Sequence, residues 1–361
     1  MAISLFDTAR PWQPLRATIQ ERISAVIDAG RFVLGPEVAA FETELAAYLG
    51  VGHVIGVANG TDAITIALRA LGVQPDDEVV VPSFTFYATA EAVVGAGARP
   101  VFCDVDPQTR NVTLPTVRRA LTPRTRAIVA VDLFGCPAPV DELRELELPV
   151  LEDAAQAMGA SLGGHRAGAL GDAATISFYP SKNLGCFGDG GAIATDDGRV
   201  AEHARALRFH GSRDKRDFQF VGYNSRLDEI QAAVLRVLLP HLDGWVEGRR
   251  AAARAYLAAG LAEHVEVPAV PEGADPAWHL YLVRSDRVES IAAALADRGI
   301  QARGYYRTPI HRQPAMAAYA TGIELPVTEG LARTNLALPM SPLLGSAEAT
   351  EVVAAIAAVE T

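Results

Sequence analysis

The chain has 361 residues, half of them hydrophobic and 21% charged, which suits one large domain plus a smaller one at roughly 150 residues per domain. A formal net charge of −11 and a pI near 5.3 leave no basic run to meet a phosphate backbone, so nucleic-acid binding is not expected. Cys103, Cys136 and Cys186 are widely spaced and outside any CxxC pattern, and the eight histidines form no HExxH, which argues against a disulfide framework or a structural zinc site. MAISLFDTARPWQPLR carries no basic region followed by an apolar stretch, and no run approaches ~18 apolar residues. A soluble, cytoplasmic protein without membrane contact is expected.

From about residue 53 to 195, short apolar runs alternate with helical patterns. HVIGVA (53–58) leads into NGTDAITIALRALG, where Ile64, Ala67, Leu68 and Leu71 fall at helical spacing. EVVVPS (78–83) leads into FTFYATAEAVVGAG, RPVFCDVD (99–106) into LPTVRRAL, and RAIVAVDLFG (126–135) into PVDELREL. LPVLEDAAQ, ATISFYPSK and GGAIATDD supply three more runs, with little helical sequence between the last two. Buried runs alternating with helices predict an α/β domain with a mainly parallel sheet, and ligands in such folds gather at the carboxyl ends of the strands. Polar clusters lie at those ends: Asn59-Gly60-Thr61-Asp62, Ser83 to Phe86, Glu152-Asp153, and Ser177 to Lys182.

A long helical stretch is predicted over 226–261, beginning near Leu227 and kinked or broken at Pro240. Beyond it, HLYLVR (279–284) and an alanine-rich helix near 290–298 suggest a smaller α+β domain. The boundary is placed at 242, giving a large domain with an N-terminal arm over 1–242 and a small domain over 243–361.

Lysine and arginine total 32, yet only Lys182 and Lys215 are lysines. Lys215 sits in the charged run SRDKRD, where a solvated surface group is expected. Lys182 lies in SFYPSKNLGCFGDGG, among glycine, serine and aromatic residues. Unlike arginine, a lysine amine can lose its proton and act as a nucleophile on an aldehyde. ANGTDAITIAL places glycine and threonine at a strand-to-helix junction, where free N–H groups and the helix dipole make either an anion site or an ordinary cap. Glu152 and Asp153 end a buried strand, a place that suits a metal ligand, a ribose contact, the partner of a protonated ring nitrogen, or a helix cap. GCFGDGG lacks the spacing of a dinucleotide or phosphate loop. A phosphate cradle near 60, an acid near 153 and a nucleophilic lysine at 182 together match what pyridoxal 5'-phosphate requires.

The chain also resembles a family, the DegT-type sugar-nucleotide aminotransferases of PLP fold type I. The resemblance runs through GRFVLGPEVAAFE, ANGTDAI, DEVVVPSFTFYATAEAV, LEDAAQAMGA, SFYPSKNLGCFGDGGAI, RFHG, GYNSRLDEIQAA and LALPMSPLL. It implies a three-layer large domain with a mainly parallel sheet plus a smaller α+β C-terminal domain. It implies Lys182 as the Schiff-base lysine and proton shuttle, Asp153 as the pyridinium partner and Gln156 beside the cofactor's phenolic oxygen. Phe86 would stack on the ring, and Gly60, Thr61 and Ser177, with Asp62 beside them, would hold the phosphate. Asn224 would come from the neighbouring subunit of a homodimer with shared active sites, with Arg226 close by; a local helix cap is the alternative for Asn224. Arg226, Tyr306, Arg307 and His311 are the implied substrate contacts, although Tyr305-Tyr306-Arg307 stands where relatives often read His-Tyr-Pro.

The activity implied is amination of a nucleotide-linked keto sugar, with glutamate as donor and pyridoxamine 5'-phosphate as the intermediate cofactor form. The resemblance points to carbon 3 of a dTDP- or UDP-linked sugar, with carbon 4 as the alternative. Relatives that deoxygenate sugars carry histidine in place of the lysine, and a non-catalytic PLP-binding regulator would need a basic nucleic-acid-binding segment.

Overall fold

The computed structural model describes residues 2–359. Seven strands form the main sheet: β1 (His53–Val57), β2 (Glu78–Pro82), β3 (Arg99–Cys103), β4 (Thr125–Val131), β5 (Val150–Asp153), β6 (Ala173–Ser177) and β7 (Gly191–Thr195). Their spatial order is β1-β7-β6-β5-β4-β2-β3. Only β7 runs against its neighbours, pairing Gly56 with Ala192 on one side and Ile176 with Ala192 on the other. The connection from β6 to β7, residues 178–190, carries no helix, which fits the reversal, because a parallel crossover usually includes one.

Val79, Val80, Val81, Ile128, Val129, Val150 and Leu151 are fully buried, as expected of strands covered on both faces. The helix Gly60–Ala70 buries Ile64, Ala67 and Leu68 on one face of the sheet. On the other face, Phe41 and Leu45 of the helix Pro36–Leu49 meet Phe178, Leu235 and Leu238. Glu229 ties this layer together, accepting from the N–H groups of Gly35 at 2.7 Å and of Glu37 and Val38, each at 2.9 Å. Those are orphan donors at the start of the helix Pro36–Leu49, so a residue from the DEIQAA motif caps the helix of the GPEVAAFE motif.

The helix expected from Leu227 begins instead at Glu229, with Asp228 at its N-cap, and runs to Leu238. A 3-10 turn, Leu239–His241, holds Pro240 before the next helix, Leu242–Ala258, so the expected break is present. PVDELREL yields only one four-residue helix followed by a 3-10 turn. A second sheet of two antiparallel strands, β8 (Tyr281–Arg284) and β9 (Asn335–Leu338), packs with the helices Val288–Asp297 and Ser346–Ala357. Its core contains Tyr256, Tyr281, Leu295, Leu338 and Val352, with Tyr256 stacked on Tyr281 at 5.4 Å. Ile3 joins this core too, its N–H reaching Gly299 O at 3.1 Å, which carries the following arm past the carboxyl ends of the large sheet.

Candidate active site

The carboxyl ends of β1, β4, β5 and β6 open into a cleft of about 680 Å³, within the range of small-ligand sites. Lys182 sits on its floor, on the loop between β6 and β7. That loop is closed by backbone bonds from Phe178 N to Gly190 O and from Cys186 N to Phe178 O, both 2.8 Å. Lys182 N reaches Tyr179 O at 2.8 Å, and Asn183 Nδ2 anchors the turn on Ala277 O at 2.9 Å. A side chain at Gly185 would meet Pro180 O at 2.7 Å, so the turn that presents the lysine closes only around glycine. Burial pulls the Lys182 amine down to about 8, and the Asp153 carboxylate partly opposes this. About a tenth of the amine is therefore uncharged at pH 7 and about half at pH 8, far more than for an ordinary lysine.

Asp153 ends β5 and is buried; Thr89 Oγ1 donates to its Oδ2 at 3.0 Å and Ala155 N to its Oδ1 at 3.2 Å. Burial raises its carboxyl, while the Ala155 and Thr89 hydrogen bonds and Lys182 counteract the rise. Glu152 points to the opposite face, where it takes N–H groups from Gly168 at 2.6 Å and Leu170 at 2.8 Å, a structural use. Of the two adjacent acids, only Asp153 reaches the cleft.

Gly60 and Thr61 open the helix behind β1, and their N–H groups, at its first two positions, have no intrahelical acceptor. A Cβ on Gly60 would lie 2.8 Å from Ser177 Cβ, and one on Gly191 would lie 2.4 Å from Asn59 O. Two glycines thus let the ends of β6 and β7 press against this helix end, bringing the Ser177 hydroxyl beside the two N–H groups. Such a hydroxyl and helix N-terminus fit a phosphate. Gln156 Oε1 accepts from Phe134 N at 2.8 Å and its Nε2 donates to Tyr306 Oη at 3.2 Å. Phe86, exposed at the mouth, lies 6.1 Å from the Tyr306 ring. Gly60, Thr61, Phe86, Asp153, Gln156, Ser177, Lys182 and Tyr306 therefore share one cleft. An aldehyde, a ring nitrogen, a phenolic oxygen and a phosphate each have a matching group, so these residues fit pyridoxal 5'-phosphate.

Other expected site residues lie elsewhere. Asp62 does not line the cleft; its N–H is taken by the Asn59 cap at 2.8 Å, and its carboxylate complements the positive helix end rather than a phosphate. Arg307 turns outward to Arg333 O at 2.9 Å and Glu289 at 3.1 Å. The His311 side chain is fully buried, its Nδ1 2.6 Å from Ser83 Oγ and its Nε2 3.2 Å from Glu329, which makes it a strut between loops. Within its own chain Arg226 reaches not the cleft but Asn224. Asn224 is exposed and caps no helix, since Asp228 holds that position; its backbone pairs with Phe209.

Three cleft residues escaped the sequence reading. Thr89 orients Asp153, Phe6 reaches in from the arm, and His279 stacks on Phe6 at 5.9 Å. A histidine opening the apolar run HLYLVR was the available signal for His279; no spacing rule marks Thr89 or Phe6. Trp278, before His279, holds φ at +44°, in the left-handed region that non-glycine residues occupy at a cost of about 1–3 kcal/mol.

A three-layer α/β fold with a lysine, an acid and a helix N-terminus converging on one cleft fits the class of PLP-dependent enzymes, and comparison with known proteins makes that class an aminotransferase. The chain belongs to the DegT/DnrJ/EryC1/StrS aminotransferase family, a family of PLP-dependent enzymes whose profile matches residues 13–357. It is 46% identical to the dTDP-3-amino-3,4,6-trideoxy-alpha-D-glucose transaminase of Streptomyces venezuelae, over 98% of this chain and 95% of that one. It is 42% identical to the UDP-N-acetyl-3-dehydro-alpha-D-glucosamine 3-aminotransferase of Acidithiobacillus ferrooxidans, over 95% and 94%. Among solved structures, S. venezuelae DesV in complex with a ketimine intermediate superposes with a TM-score of 0.96 at 44% identity, covering 100% of this chain and 99% of that one.

Proposed function

We propose that this enzyme uses pyridoxal 5'-phosphate to move an amino group from glutamate to carbon 3 of a dTDP- or UDP-linked keto sugar. The observation that carries the reading is the meeting of Lys182, Asp153, Gln156 and the Gly60-Thr61-Ser177 cradle in one cleft. The 3-amino specificities printed in the names of both relatives above support carbon 3 over carbon 4.

When bound, the cofactor supplies an aldehyde to carry the amino group and a ring that withdraws electrons. Gly60, Thr61 and Ser177 bind its phosphate, and Phe86 covers its ring. Asp153, whose charged form is favoured by the Ala155 and Thr89 hydrogen bonds, would hold the ring nitrogen in its protonated form, and Gln156 would meet the phenolic oxygen. Lys182 Nζ, uncharged in good part near pH 8, takes the proton from the donor's α-carbon and returns one to the sugar carbon.

Among the described residues no arginine of the same chain lines the cleft, whereas the substrates on this reading bring carboxylates and a pyrophosphate. We therefore assign Asn224 and Arg226 to the site of a partner subunit in a homodimer. Exposed Phe218, Phe220 and Val221 precede them in sequence and support an interface there. A division into domains at 242/243 is supported by the separate core around Tyr256, Tyr281 and Leu338. Among the described residues no helix is long and apolar enough to cross a membrane; we propose a cytoplasmic setting.

The test is to load the protein with pyridoxamine 5'-phosphate and assay it against 3-keto and 4-keto sugars linked to dTDP or UDP. The proposal expects a new amino sugar, detected by mass, from a 3-keto substrate. Product from 4-keto substrates alone would overturn the carbon-3 assignment.

A further inference from the structure

Among the described residues that line the cleft, His279 is nearly wholly buried, has no assigned cofactor contact and, unlike buried Thr85 and Thr89, keeps a side-chain nitrogen without a hydrogen-bond partner. Its residue exposure is 4%, and its Nδ1 has neither solvent nor a hydrogen-bond partner among the described residues. A buried polar atom left in this way is costly, and native structures rarely keep one without a use. The surroundings hold the ring in place. Ala277 N and Leu280 N bond to Gly135 O at 2.8 Å and Phe134 O at 3.3 Å, and buried Arg249 donates to Trp278 O at 3.1 Å. Trp278 keeps its left-handed backbone between these restraints. Strain maintained beside a buried, unpartnered group points to a ligand contact.

We propose that His279 is a specificity-determining residue for the acceptor, its imidazole hydrogen-bonding a ring hydroxyl or the keto oxygen of the sugar. The inference rests on the reading given under Proposed function. Its grounds are the positions of the polar groups. The wall built from β1, β5 and β6 already meets each functional group of the cofactor. The remaining lining includes Phe6, His279, Leu280, Tyr305 and Tyr306, none of which has been given a cofactor contact, and the Tyr306 hydroxyl already receives Gln156.

The ring's charge state selects the kind of partner. Burial first, and then its nearness to Lys182 and Arg249, hold His279 well below its ordinary titration range. A neutral imidazole offers one N–H and one lone pair, which suits a hydroxyl or carbonyl oxygen. It offers no charge to a dicarboxylate donor. On this proposal His279 serves the sugar half-reaction and leaves the glutamate half-reaction unaffected.

The experiment measures each half-reaction in single turnovers of cofactor-loaded enzyme, following the cofactor's absorbance, for wild type, His279→Phe and His279→Gln. Glutamate drives one half; a dTDP-linked 3-keto-6-deoxyhexose drives the other. His279→Phe should slow the sugar half-reaction or raise its half-saturation roughly tenfold, as expected for losing a hydrogen bond, with the glutamate half-reaction within about twofold. His279→Gln, which keeps a donor and an acceptor, should recover most of the loss. Equal slowing of both halves, or no effect on the sugar half, overturns the proposal.

If His279→Phe does not fold, histidine-labelled ¹⁵N spectra of the wild-type holoenzyme decide. The resonance missing in His279→Gln should shift with a dTDP-linked 3-amino-6-deoxyhexose and not with dTDP alone; no shift with the amino sugar overturns the proposal. Wild type that fails with every keto sugar but processes glutamate would instead sink the acceptor assignment under Proposed function.

Discussion

Gly60 and Ser177 approach so closely that a single added methyl group on Gly60 would lie 2.8 Å from the Ser177 β-carbon. The helix start and the end of β6 therefore form one surface, and that surface is the phosphate cradle. Gly60→Ala should push the two apart by a few tenths of an ångström. We expect the protein to fold and cofactor affinity to fall about tenfold, or ~1.4 kcal/mol. Equilibrium titration with pyridoxal 5'-phosphate checks this, and unchanged affinity would separate the cradle from the phosphate.

Thr89 donates to buried Asp153, and the bond favours the charged carboxylate. Thr89→Val keeps the shape and removes the donor, at about 1.5–3 kcal/mol for a bond to a charged group, or about 1–2 pKa units. The sign is fixed: a carboxyl that is harder to ionise stays protonated to higher pH. The acid limb of the pH profile for the glutamate half-reaction should therefore move upward by roughly one to two units. A profile identical to wild type would mean that Thr89 has no part in setting the charge of Asp153.

How much of this was legible in the sequence depends on how local each cause is. The valine-rich runs at Glu78–Pro82 and Thr125–Val131 read as buried strands because every side chain there faces a covered layer. Lys182 was legible from its composition and neighbours. The directions of Arg307 and His311 were not legible because they are set by partners on other elements, Glu289 and Glu329. Asp62 was grouped with a phosphate loop, yet its N–H was already committed to Asn59. Thr89 and His279 act through contacts with residues 64 and 97 positions away, Asp153 and Lys182, and no periodicity records such meetings.

Glu229 caps the helix Pro36–Leu49 through three N–H groups from 191 to 194 residues away. Glu229→Ala leaves those donors buried without a partner, and stability should fall by roughly 2–4 kcal/mol. Denaturant unfolding of the apo protein measures it. A loss below about 0.5 kcal/mol, typical of surface substitutions, would show that water or rearrangement replaces the carboxylate.

On the shared-site assignment, Lys182→Ala and Asn224→Asp should each be inactive alone. Mixed under conditions that exchange subunits, they should form hybrid dimers with one doubly damaged site and one intact site, recovering up to about half the activity per dimer, the share fixed by the twofold symmetry of such an interface. If Asn224 served its own chain, every hybrid site would keep one lesion. Verified exchange without recovered activity would remove Asn224 from the partner's site.

The central claim is that Lys182 is the lysine that bonds to the cofactor. The direct measurement is borohydride reduction of the cofactor-loaded protein, followed by peptide mass mapping. The account predicts one reduced pyridoxyl phosphate adduct per chain, on the peptide containing Lys182, and none in Lys182→Arg. An adduct on Lys215 or the N-terminus in place of Lys182, or an undiminished adduct in the arginine variant, would contradict it.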